Sequence, residues 1–274
     1  MEVRRTPKAR VSLVVVAAVL ALVAAAGAAS PSRAKTTKPT IVLVHGAWAD
    51  SSSWAGVVRR LQRTGYTVDV PPNPLRDLTS DSDYLRSILT TIKGPIVLVG
   101  HSYGGAVVTN AVGDNPNVKA LVYINAFAPD QGESVLQLAT AKPGSSIGGD
   151  PTKVFNVVPY PGGPQGDVDL YVKPRLFPKA FGNDLPTKTG AVLAATQRPV
   201  ALSALAEPSG PPAWKTVPSW YMVGTKDNVI PVAEQRVMAK RAGSHVAEVP
   251  ASHMSMVSHP QQVAAIIMTA AAAR

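Results

Sequence analysis

Short runs of aliphatic residues recur along this chain. Between them lie longer stretches in which apolar side chains return every three or four positions. The runs at 41–44, 66–70, 96–99, 121–124, 220–223 and 245–249 predict β-strands. Several, such as Ile41-Val42-Leu43-Val44, show no polar alternation, the mark of strands covered on both faces. The intervening segments predict helices. Residues 54–63 place Trp54, Val57, Val58 and Leu61 on one side, and residues 83–92 do the same with Tyr84, Ile88 and Leu89. Two more are expected at 232–241 and at 261–273, the last behind Pro260 as a first-turn proline. Strand and helix in alternation imply a parallel, doubly wound α/β sheet.

Two regions break the rhythm. Residues 135–216 are rich in proline and glycine, with Pro161-Gly162-Gly163-Pro164 and Pro211-Pro212. This segment reads as an insertion, a cap over the carboxyl edge of the sheet, with helices expected at 187–196 and near 167–171. The core is then 40–134 and 217–274. The other irregular region is the start. Arg4, Arg5, Lys8 and Arg10 stand against Glu2, an uncharged stretch runs from 11 to 26, and small residues follow. Basic, apolar, small is the order of a secretory signal peptide over 1–29, with 30–39 as linker and a secreted or envelope location. An uncleaved anchor helix is the alternative, although the apolar stretch falls short of the ~20 residues a bilayer needs.

Composition narrows the field. The sequence holds 274 residues, 46% hydrophobic and 16% charged, enough for one sizeable core. It has no cysteine, which excludes disulfides, thiolate metal sites and a lipobox. The net charge of +10 is scattered outside the leader, with no basic stripe interleaved with aromatics, so no nucleic-acid partner is expected. No stable membrane insertion is expected once the leader is removed.

The sharpest motif is Gly100-His101-Ser102-Tyr103-Gly104-Gly105, placed between the strand at 96–99 and the apolar run Ala106-Val107-Val108. This is G-x-S-x-G in a strand–turn–helix setting, where the turn lifts a serine to the sheet edge at a helix N-terminus. A serine hydroxyl needs a base. His253, in a loop just past the last strand, suits the order Ser…acid…His, with His259 as the alternative. The acid that orients the histidine is expected at Asp227, after the strand at 220–223, with Asp130 as the alternative. Backbone N–H groups of Ala47 and Tyr103 are expected to hold an oxyanion.

Ile41 to Trp48, the Gly-His-Ser-Tyr-Gly-Gly elbow, Gly224-Thr225-Lys226-Asp227 with Ile230-Pro231, and Ser252-His253 ahead of Ser258-His259-Pro260 resemble the α/β-hydrolase superfamily. More narrowly they resemble the small hydrolases related to plant methylesterases and hydroxynitrile lyases, and their bacterial esterase-like relatives. The resemblance runs from about residue 40 to the C-terminus. It implies Ser102 as nucleophile, Asp227 as acid, His253 as base, oxyanion donors Ala47 and Tyr103, and neither metal nor organic cofactor. Only about eleven residues separate the leader from Ile41, too few for the leading antiparallel strand pair of larger relatives, so a compact six-stranded sheet is expected. The function implied is hydrolysis of small to medium, mostly apolar carboxylic esters through an acyl-enzyme. Lyase, amidase, lactonase and cofactor-free haloperoxidase chemistry share this triad, and a receptor-like ligand-binding role shares the fold.

Overall fold

A computed structural model describes residues 1–2 and 37–273. The predicted leader, apart from Met1 and Glu2, and most of the linker lie outside the described residues. The described residues from 37 to 273 form a single unit.

The first half folds as strand and helix in turn. Strand β1 (Thr40–Val44) is followed by α1 (Ala55–Arg63), β2 (Val68–Asp69), α2 (Leu78–Thr91), β3 (Ile96–Ser102), α3 (Tyr103–Ala111) and β4 (Val118–Ala126). Ile41 to Val44 and all of β3 are buried, as their unbroken apolar runs require. Two expectations change here. The strand expected at 66–70 shortens to two residues at the sheet edge. Helix α2 starts five residues early, where the Asp77 carboxylate caps it by accepting from Ser80 N at 2.7 Å. Its buried stripe is Leu78, Asp81, Ser82, Leu85 and Leu89, so Tyr84 faces outward at 44% exposure rather than inward. The stripe passes through Asp81 and Ser82, which a hydropathy pattern does not mark.

Between β4 and the next sheet strand the chain builds the insertion. It contains α4 (Val135–Thr140), α5 (Pro151–Val154), β5 (Phe155–Pro159), β6 (Val168–Val172), α6 (Phe177–Phe181), α7 (Thr187–Ala195), β7 (Val200–Ala201) and α8 (Leu202–Ala206). The helix expected near 167–171 is instead β6, the middle strand of an antiparallel sheet ordered β5-β6-β7. Its pattern has period two. Val168, Leu170 and Val172 alternate with Asp169 and Tyr171, and a helix would have turned Leu170 away from the other two.

The chain then returns to the main sheet through β8 (Ser219–Gly224), α9 (Val232–Arg241), β9 (His245–Val249), α10 (Ser255–Ser258) and α11 (Pro260–Ala272). All six main strands are parallel, in the order β2-β1-β3-β4-β8-β9. Helix α1 packs on α11 and α2 on α3, covering the sheet in two layers. The chain moves outward from β1 to β2, then crosses back to β3, which lies beside β1. That reversal opens a crevice at the carboxyl ends of β1 and β3, where open α/β sheets bind ligands. Residues 45–48 and Ser102 sit there.

Candidate active site

Ser102 ends β3 and caps α3 with φ 53° and ψ −126°. Few non-glycine residues adopt a positive φ, and such strain persists only where surroundings enforce it. Close backbone approach does so here. A Cβ on Gly100 would lie 2.5 Å from the Gly104 carbonyl oxygen, and one on Gly104 would lie 2.6 Å from the Val44 carbonyl oxygen. The turn is that tight because β1, β3 and α3 meet in it. Ser102 lines a cavity of about 240 Å³. Apart from Ser102, Tyr103, Thr140 and the indole of Trp48, the side chains around it are hydrocarbon, among them Phe127, Leu136, Phe155 and Leu170.

The structure brings Asp227 and His253 together. His253 Nδ1 lies 2.9 Å from Asp227 Oδ2, both side chains fully buried. Since the carboxylate accepts, Nδ1 carries a proton, and in the neutral ring Nε2 then holds the lone pair. Nε2 is buried and has no hydrogen-bond partner among the described residues. Asp227 is gripped by four further donors. Its Oδ1 accepts from Val229 N at 2.7 Å and Ile230 N at 3.0 Å, and its Oδ2 from Gln235 Nε2 at 2.9 Å and Asn125 Nδ2 at 3.2 Å. His253 is tied to the elbow through His101, whose Nε2 donates to the His253 carbonyl at 2.8 Å while the two rings lie 4.7 Å apart.

The alternatives stand elsewhere. Asp130 forms an exposed ion pair with Lys215 at 2.6 Å, and that contact holds its carboxyl below the usual range. His259 caps α11, bonded to Ser258 Oγ at 2.8 Å and facing Asp184 at 3.4 Å. The oxyanion donors expected from the sequence, Ala47 and Tyr103, both line the cavity with Ser102. Neither backbone N–H is engaged by another group among the described residues. No cluster of three or more His, Cys, Asp or Glu side chains is placed to hold a metal among the described residues.

A model of the alpha/beta hydrolase family matches residues 41–266. The chain belongs to that family. It is 29% identical over 261 residues to a pyrethroid hydrolase of Sphingobium wenxiniae, spanning 84% of this chain and 87% of the relative. A carbendazim-hydrolyzing esterase of a Nocardioides species is 33% identical over 111 residues, 35% of this chain and 46% of the relative. Among solved structures, polyneuridine aldehyde esterase superposes with a TM-score of 0.72 at 20% identity, covering 85% of this chain and 99% of that one. A pyrethroid hydrolase from Sphingobium faniae superposes with a TM-score of 0.69 at 24% identity, covering 86% and 98%. The α/β-hydrolase fold with an inserted segment is thus shown.

Sequence reasoning about this α/β hydrolase missed Asn125 and Gln235. Asn125 has a positive φ of 43°, donates to Asp227 and to the Ser252 carbonyl, and accepts from Ser255 Oγ at 2.8 Å. A polar residue ending the run at 121–124 was a signal in hindsight. Gln235 gave none, since a glutamine on a charged helix looks exposed, yet it is fully buried.

His45 steadies the loop after β1. Its Nε2 accepts from Asn73 N at 3.0 Å, and its carbonyl accepts from Asn73 Nδ2 at 3.0 Å. Burial lowers its pKa from 6.5 to about 4. Between those values the unfolded chain binds a proton the folded one refuses. The stabilisation is therefore complete above pH 6.5 and is lost as pH falls towards 4. At ~1.4 kcal/mol per unit this amounts to about 3 kcal/mol. The difference in urea-unfolding free energy between wild type and His45→Gln is expected to widen by that amount from pH 4 to 7. A difference constant over this range contradicts the assignment.

Proposed function

We propose that this α/β hydrolase cleaves esters of small to medium, apolar carboxylic acids through an acyl-enzyme on Ser102. The observation that carries the reading is the buried His253, gripped at Nδ1 by Asp227, bare at Nε2 and held at its carbonyl by His101, the residue before a strained serine on an apolar cavity. Ser102 Oγ bonds to the ester carbonyl carbon as His253 Nε2 takes the hydroxyl proton. The carbonyl electron pair moves to oxygen, where the N–H groups of Ala47 and Tyr103 stabilise it. Collapse breaks the carbon–oxygen bond to the alcohol, and His253 returns the proton to the leaving oxygen. Water, deprotonated by His253, repeats the attack and releases acid and free serine. The esterase and pyrethroid hydrolase relatives support ester chemistry of this kind.

The cavity wall carries no charged side chain, so it offers no partner to a charged acyl group. Uncompensated burial of a carboxylate costs several kcal/mol. With p-nitrophenyl esters, kcat/KM is expected to rise from acetate to hexanoate. It should fall by about 10²-fold or more for the mono-ester of adipate, equal in length but ended by a carboxylate. Equal rates for hexanoate and the adipate ester would count against this substrate class, and cyanohydrin cleavage faster than ester cleavage would count against hydrolysis. The leader pattern further supports export. Mass spectrometry of the exported protein should find a chain beginning near residue 29 or 30, and a full-length membrane-held species would contradict it.

A further inference from the structure

Trp48 follows Ala47 in the loop after β1. It is buried, at 4% exposure, with a positive φ of 56°. A bulky residue in that region costs on the order of 1–3 kcal/mol and persists only where its surroundings over-determine it. They do so from three sides. The indole Nε1–H donates to the Leu170 carbonyl in β6 at 2.8 Å. The ring stacks on Phe155 in β5, with centroids 5.6 Å apart and planes at 17°. Its edge contact is with Phe181 in α6, at 5.6 Å and 78°. Phe181 in turn meets the His253 ring edge-on at 5.4 Å, and its carbonyl accepts from Met254 N at 3.0 Å. One side chain thus touches both strands of the insertion that flank the cavity. Through a single ring it also reaches the segment that carries the base.

We infer that Trp48 is a positioning residue that couples seating of the insertion to the aim of the Ala47 N–H. The inference rests on the ester-hydrolase reading of the site. A cavity wall alone needs only apolar area, which leucine at an ordinary φ would supply. Neither the strained backbone nor the hydrogen bond to a carbonyl of the insertion serves a wall. Both serve a latch. While β5 and β6 hold the indole, the loop is fixed in the conformation that turns Ala47 towards Ser102. Released, residue 48 relaxes to a negative φ and the loop carrying Ala47 swings with it. Trp48, Phe155 and Leu170 all line the cavity, so an acyl chain that fills it presses on the same three residues. Longer acyl groups therefore raise kcat as well as lowering KM.

The test uses two variants on p-nitrophenyl acetate and octanoate. Trp48→Phe keeps a ring and removes the N–H. It is expected to lower kcat about tenfold on acetate and by more on octanoate while KM changes less than twofold, a fraction of the 10²–10³ lost when an oxyanion donor is removed outright. The rise of kcat with acyl length should flatten. Phe155→Leu leaves the loop sequence intact and is expected to lower kcat on acetate several-fold, although an acetyl group is too short to need that wall. Unchanged kcat on acetate in Trp48→Phe, with only KM for octanoate raised, makes Trp48 a wall and overturns the inference. Should Trp48→Phe fail to fold, Phe155→Leu decides alone, and unchanged kcat on acetate overturns it. Ser102→Ala is assayed beside them. Full activity there defeats the hydrolase reading itself, whereas a silent Ser102→Ala beside a fully active Trp48→Phe defeats only the latch.

Discussion

Replacing Ser102 by alanine is expected to lower kcat on p-nitrophenyl esters by on the order of 10⁴-fold or more, with the fold intact. Without Oγ there is no acyl-enzyme, and the remaining hydrogen-bond donors only assist direct attack by water. Alanine keeps the Cβ that already packs against Gly46 and occupies the same strained backbone, because Gly100 and Gly104 enforce it whatever the side chain. The melting temperature should therefore move by no more than about 2–4 °C, the shift that 1 kcal/mol produces at this size. Burst kinetics provide a second readout, since the fast release of one equivalent of nitrophenol should vanish. A variant that retains wild-type turnover places the nucleophile elsewhere.

Asp227→Asn is expected to cost about 10³–10⁴ in kcat and, unlike the serine variant, to destabilise the fold. Every lone-pair direction of Asp227 is used. Two backbone N–H groups approach Oδ1, while Asn125, Gln235 and His253 approach Oδ2. An asparagine must aim its NH₂ at one of these sets of donors. With NH₂ on the His253 side, the imidazole must take the other tautomer, and Nε2 then carries a proton instead of the lone pair that attack on Ser102 needs. With NH₂ on the other side, two buried backbone donors lose their acceptor at about 1–3 kcal/mol each. Asp130→Asn weakens only the solvent-facing contacts of its carboxylate with Lys215 and the Gln131 N–H. It should change stability by less than about 1 kcal/mol and kcat by less than about twofold. Steady-state rates and urea unfolding on both variants check this, and a larger kcat loss at Asp130 than at Asp227 shows that the acid was misassigned.

The two acids show where reading the chain stops. Each follows an apolar run, and each lies beyond the carboxyl end of a strand, so pattern favours Asp227 by its place one strand before His253 without excluding Asp130. Strand order supports the former. β8 lies between β4 and β9, which puts the loop after β8 against the one carrying His253, while the chain after β4 leads into the insertion and out to Lys215. The two histidines divide in the same way. His253 folds back over His101, and His259, six residues on, is already the cap of α11. Trp48 could be seen in the sequence as a loop residue, but not as the residue that joins the loop to Leu170, 122 positions away.

The sequence by itself determined the parallel sheet, the direction of its edge and the elbow at Ser102. Those depend on short-range physics: the burial period of a strand, the steric room in a tight turn, the start of a helix. The short strands of the insertion, the buried polar stripe of α2, and the grip of Asn125 and Gln235 on Asp227 were decided only by the tertiary structure. Periodicity reports which side of an element avoids water. It carries no information on which distant side chain will meet it there, because that depends on sheet order and on the path of the loops between.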